Sequence, residues 1–125
     1  MAVSQNTSVE LTIKATSFMG LTTYGSLLVG DKAVEFYNER NTEDFIQIPW
    51  DEIDYVAASV MFGGRYISRF AIFTKKNGHF SFSTRDNKLT LRTFRNHMPA
   101  DRLQKSPTLL QVMRLGIKRL FLGAD

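Results

Sequence analysis

The side chains whose type and spacing could do chemistry are two histidines, an acidic trio, a set of glycines and a run of cations. His79 and His97 do not fall at His-x-x-x-His or His-Glu-x-x-His spacing, which would set two imidazoles on one helix face for a metal. Each reads as a surface or structural histidine. Asp51, Glu52 and Asp54 could hold a cation or act as a carboxylate pair. They lack the alternating acid pattern and central glycine of a calcium loop, and Asp51 and Glu52 read as the turn after Ile48-Pro49-Trp50. Gly20, Gly25 and Gly30 form neither a dinucleotide nor a phosphate loop and read as turn or bulge residues. No Gly-x-Ser-x-Gly elbow is present. With no cysteine in the chain, thiolate catalysis, disulfides and cysteine-ligated metals drop out. No catalytic, metal or cofactor residue is assigned, and the chain reads as non-enzymatic.

The cations carry more information. Lys88, Arg92 and Arg95 fall four and three apart, the spacing that lines up side chains on one helix face. Arg85 precedes them in line with the stripe, and Leu91, Phe94 and Met98 form an apolar face about a quarter turn away. Such a stripe suits phosphates, anionic lipid or an acidic protein surface, or it is a solvated face or pairs with the acidic first half of the chain. A second amphipathic segment spans 107–122, about 24 Å at the helical rise. Leu109, Leu110, Met113, Ile117, Leu120 and Phe121 share its apolar face, while Arg114, Lys118 and Arg119 lie largely elsewhere. It could pack on its own domain, self-associate, enter a partner's groove or lie on an anionic membrane. The candidate partner-binding residues are Arg85, Lys88, Arg92 and Arg95 from the first helix, with Leu110, Met113, Arg114, Ile117, Lys118 and Phe121 from the second.

These residues need a scaffold. The chain has 125 residues, 43% hydrophobic and 22% charged, which suits one globular domain. Period-2 alternation predicts a strand from Val9 to Thr16. Further strands are expected at about Gly25–Val29, Ala33–Asn38, Phe45–Ile48, Ile53–Phe62, Tyr66–Thr74 and His79–Ser83. Gly30-Asp31 suits a tight turn with glycine at positive φ, and Asn77-Gly78 suits a type I′ hairpin. Pro49 stops its strand or marks an edge, and Gly63-Gly64 turns the chain. Asp86 can cap a helix that ends before Pro99. Ser106-Pro107 opens the last helix, which Gly123 closes.

The expected fold is mainly β with C-terminal helices (α+β). It is a pleckstrin-homology-like, seven-stranded bent sheet or barrel, closed at one corner and plugged by a helix, with a terminal amphipathic helix; a plain β-sandwich is the alternative. The expected division is a pleckstrin-homology-like domain at 1–98, a linker at 99–106 and the C-terminal helix at 107–125.

Charge divides along the chain. Residues 1–62 hold nine acids and three bases, and residues 63–125 hold three acids and 13 bases, which together give the net +4. This predicts a basic, largely helical face for an acidic partner. No apolar run approaches the ~20 residues of a membrane span, and the N-terminus does not read as a secretory leader. The sequon-like Asn6-Thr7-Ser8 is read as chance. The expected location is the cytoplasm, including the inner face of the cell membrane.

Four stretches carry a resemblance: KATSFMGLT at 14–22, GDKAVEFYN at 30–38, IQIPWDEIDYVAASVMF at 46–62 and TKKNG at 74–78. With the helix that follows, they resemble a small bacterial family of unknown function encoded beside mannose-class sugar phosphotransferase system (PTS) genes. The resemblance implies a pleckstrin-homology-like fold and a regulator of the mannose PTS operon. It implies a cytoplasmic accessory module with a protein partner, PTS components included. Homo-oligomerisation through the C-terminal helix and peripheral membrane contact remain open. A DNA-binding transcriptional regulator is the alternative reading. It ranks lower because the chain lacks helix-turn-helix spacing, an RNP-type aromatic motif and a zinc module. A sugar-phosphate binder ranks third. Ser17 to Tyr24 holds no basic cluster, so a phosphoinositide is not the expected ligand.

Overall fold

Alternation of Val9, Leu11, Ile13 and Ala15 with polar neighbours sends every second side chain to one face, and β1 (Val9–Ser17) forms there. The computed structural model describes residues 3–106. Seven more strands follow: β2 (Thr23–Gly30), β3 (Ala33–Asn38), β4 (Phe45–Pro49), β5 (Ile53–Met61), β6 (Tyr66–Thr74), β7 (His79–Thr84) and β8 (Leu103–Ser106), with one helix, α1 (Asn87–Phe94), between β7 and β8. The helix expected over 107–122, with its candidates Leu110, Met113, Arg114, Ile117, Lys118 and Phe121, lies outside the described residues.

The strands make one mixed sheet in the order β4-β3-β2-β1-β7-β6-β5-β8. Among the described residues the fold is mainly β with one helix, and the sheet does not close into the expected barrel: β4 and β8 are its two ends. Seven antiparallel strands were expected. The eighth, β8, runs parallel to β5 and pairs Val56 with Leu103 through to Ser59 with Ser106. It occupies the second half of the segment predicted as a linker, after a 3-10 turn at Ala100–Arg102. The four residues of β8 show no alternation to read; the free backbone edge of β5 makes them a strand.

The sheet is strongly bent. β1 pairs with β2 along its length but with β7 only over Ala15–Ser17. β3 and β7 sit three places apart, ~14 Å in a flat sheet, yet the rings of Phe36 and Phe82 approach to 5.6 Å. The concave face holds the core, and Leu27, Val34, Phe70, Ile72, Phe82 and Phe94 are all essentially inaccessible. Phe94 delivers α1 into it, meeting Trp50 edge-on at 5.3 Å and Phe70 at 5.6 Å. Leu91 and Met98 bury beside it, as their spacing predicts.

Two turns differ from expectation. At the β6–β7 hairpin only Gly78 has positive φ (73°). A type I′ turn needs it at both central residues, so this is a four-residue loop, closed by Thr74 N donating to Gly78 O at 2.8 Å. Gly30 is not at positive φ either. It ends β2, and a Cβ there would lie 2.2 Å from Cγ of Asn6. Glycine is required by close approach, not by a turn.

That contact belongs to an N-terminal strap. Asn6 Oδ1 accepts from Lys32 N and Ala33 N, both at 2.8 Å. Its Nδ2 donates to Ala33 O and to Glu35 Oε1, both at 3.1 Å. Glu35 is fully buried, and its carboxylate also accepts from Ser4 Oγ at 2.5 Å and Gln5 N at 2.7 Å. The Asn6 amide is thus a structural plug. Asp31 accepts from the Thr7 hydroxyl and from Thr7 N and Ser8 N. These bonds, the Thr7 hydroxyl foremost, lower its pKa to about 2.

Candidate interaction surface

Helix α1 is short, so its orientation depends on anchors. Asp86 Oδ1 accepts from Leu89 N at 3.0 Å, the expected cap. Asn87, buried, bridges two strands: Oδ1 accepts from Thr84 N at 2.7 Å, and Nδ2 donates to Ile67 O at 2.7 Å. The Thr90 and Thr84 hydroxyls meet at 2.9 Å. Beyond the helix, Asn96 Nδ2 donates to Glu10 Oε1 at 2.9 Å, and the His97 ring contacts Glu10 Oε2 while stacking on Trp50 at 4.8 Å. The Asn96 hydrogen bond is the leading cause of a lowered Glu10 pKa, and His97 adds to it. Asn87, Thr90 and Glu10 went unread in the sequence, since their partners are distant in the chain.

So held, α1 turns Lys88, Arg92 and Arg95 to solvent. All three line one side of a groove of about 450 Å³. Its opposite wall is β8, which contributes Lys105 and Leu103, and its floor includes Ala58, Ile67 and Leu91. An apolar trough thus carries four cations on its walls. None of the four forms an ion pair with a described carboxylate. Arg85 lies outside this groove. It lines a smaller cleft of about 190 Å³ that also contains Arg65, Tyr66 and Lys88. The stripe expected as one row therefore divides, with Lys88 shared between the two depressions. Lys105 and the apolar floor had no local signature, because β8 and β5 reach the groove only through the sheet.

The residues considered for chemistry stay apart. His79 stacks on Phe73 at 5.1 Å, across the β6–β7 pair. Asp51 and Glu52 sit in a 3-10 turn after Pro49, as expected. Among the described residues, no group of three or more His, Cys, Asp or Glu side chains could hold a metal ion. Among them, too, no helix is long and apolar enough to cross a membrane.

A family model described as "Domain of unknown function (DUF956)" matches residues 1–117. No curated protein matches the chain. Among the solved structures it resembles the crystal structure of the C-terminal domain of an unknown protein from Leishmania infantum. The TM-score is 0.62 at 11% identity, covering 72% of this chain and 83% of that one, a likeness of fold alone.

Proposed function

The chain belongs to the DUF956 family, a domain of unknown function, and from that premise we propose that it is a non-enzymatic interaction module. The bent sheet with one helix seated on its concave face is read as a pleckstrin-homology-like scaffold. The partner is a protein with an acidic, apolar-anchored surface. Following the resemblance described above, that partner is a cytoplasmic component of a mannose-family PTS, which the module accompanies or regulates.

The observation that carries this reading is the groove between α1 and β8. Its apolar floor can supply affinity, while Lys88, Arg92, Arg95 and Lys105 steer and orient an acidic partner. The segment 107–125 carries three bases and a single acid. Its charge therefore opposes the groove rather than complementing it, which favours an occupant from another protein.

The test uses purified cytoplasmic PTS subunits and the full chain, with binding followed by calorimetry. The paired reversal Arg92→Glu and Arg95→Glu should weaken binding at least about tenfold, since both charges face the occupant. It should leave the melting temperature nearly unchanged, since both side chains are exposed. Equal affinity of the reversed and native proteins would overturn the reading.

A further inference from the structure

Between β5 and β6 the chain turns through three consecutive residues at positive φ: Phe62 at 54°, Gly63 at 69° and Gly64 at 89°. Glycine accepts this region without strain, but a bulky aromatic residue there is an outlier. Such strain persists only where the surrounding structure holds it, and it gathers at functional sites. Here the turn is held by Gly64 N donating to Met61 O at 3.1 Å and Arg65 N to Phe62 O at 3.4 Å. The consequence is that Phe62 projects with 73% of its surface in water, and Tyr66 beside it is 53% exposed. Nothing lies within 4 Å of where a Cβ on Gly63 would be, so the ring stands on a bare tip. Water is a poor environment for a ring held this way.

The tip is set among cations. Arg65, Arg85 and Lys88, all exposed, surround the cleft that Tyr66 also lines. The acid that shares this cleft, Asp86, has Oδ1 engaged as the cap of α1. An exposed aromatic wedge with a ring of cations behind it matches the boundary of an anionic bilayer. There, rings settle at headgroup depth and Lys or Arg side chains meet lipid phosphates. A folded protein surface would need a cavity shaped to receive Phe62, whereas acyl chains accommodate it without one.

We infer that the β5–β6 tip is a membrane anchor, with Phe62 inserted at the headgroup–acyl boundary of an anionic bilayer and Arg65, Arg85 and Lys88 against its phosphates. The anchor adjoins the groove read above as the protein-binding surface, and Lys88 lies between the two. It would hold the groove close to the bilayer surface.

The test uses the full chain and two kinds of vesicle: phosphatidylcholine alone, and phosphatidylcholine with about one third phosphatidylglycerol. In Phe62→Trp, emission should shift to the blue on the anionic vesicles and be quenched by brominated acyl chains. Trp50 in the native protein, packed on Phe94 and His97, should show neither effect. Phe62→Ser should bind the anionic vesicles roughly tenfold or more weakly, with an unchanged melting temperature because the side chain is exposed. Raising the salt should release the protein, as the Debye length shrinks to ~3 Å at 1 M. Two further results would overturn the inference. One is unaltered emission of Phe62→Trp while the protein sediments with vesicles, which would assign any binding to residues 107–125 or to charge alone. The other is equal binding to both vesicle types.

Discussion

Replacing Asn6 by alanine should be among the most damaging single changes outside the core. The side chain makes four hydrogen bonds, two of them from backbone N–H groups at the β2–β3 turn and one to the buried Glu35 carboxylate. At about 1 kcal/mol for each neutral bond, and somewhat more for the bond to the carboxylate, the gross loss is about 4 kcal/mol. Water re-entering at Lys32 recovers part of this, leaving about 3 kcal/mol. With a urea slope of 1–3 kcal/mol per molar, the unfolding midpoint should fall by roughly 1.5 M. A double-mutant cycle with Gly30→Ala makes the reasoning specific. The new methyl would collide with the Asn6 carboxamide at 2.2–2.5 Å, so Gly30→Ala should be costly in the native background. It should cost much less once Asn6 is alanine. Strictly additive effects, or a loss below about 1 kcal/mol for Asn6→Ala, would mean that the strap is not held by this side chain.

Other changes probe the helix seat and the acid response. Phe94→Ala should cost about 3–5 kcal/mol in urea unfolding, because it opens a cavity between Trp50 and Phe70; a loss under 1 kcal/mol would show that α1 is seated by its hydrogen bonds alone. Asp31 has a folded pKa lowered from 3.8 to about 2. Its stabilising contribution is therefore complete above about pH 4 and is lost as pH falls through about 2. The melting-temperature gap between the native protein and Asp31→Asn should accordingly shrink across that window; a gap that widens on acidification would contradict the assignment.

How far the sequence could be read follows from the range of each interaction. The bounds of β3 and β6 agree with expectation to the residue, because side-chain alternation is local. The Asp86 cap and the Leu91–Phe94–Met98 face are also local and were legible. Gly30 was misread and the structural role of Asn6 was not seen, since the reason for either is the other, across a strand. Glu35 alternates along its strand with the apolar Val34 and Phe36, a position that favours solvent. It is indeed on the opposite face, but the strap buries it. At the candidate surface, the spacing of Lys88, Arg92 and Arg95 revealed one wall of the groove. The other wall depends on β8, a polar tetrapeptide whose strand character comes from the sheet edge it meets. The projection of Phe62 is likewise a matter of backbone angle, which its hydrophobicity conceals.

The parallel pairing of β8 with β5 also bears on how the chain is made. β5 is complete once Met61 has been added, and β6 can zip onto one side of it almost at once. Its other side has no partner until Leu103–Ser106 emerge, after two more strands and the helix. Such a pairing closes a long loop and forms slowly, and an uncovered strand edge invites pairing with other chains. During synthesis, then, a nascent chain carries an adhesive flank for most of its second half. A product that stops short of Leu103 would keep that flank for good, so C-terminal truncations should aggregate well before they lose their secondary structure.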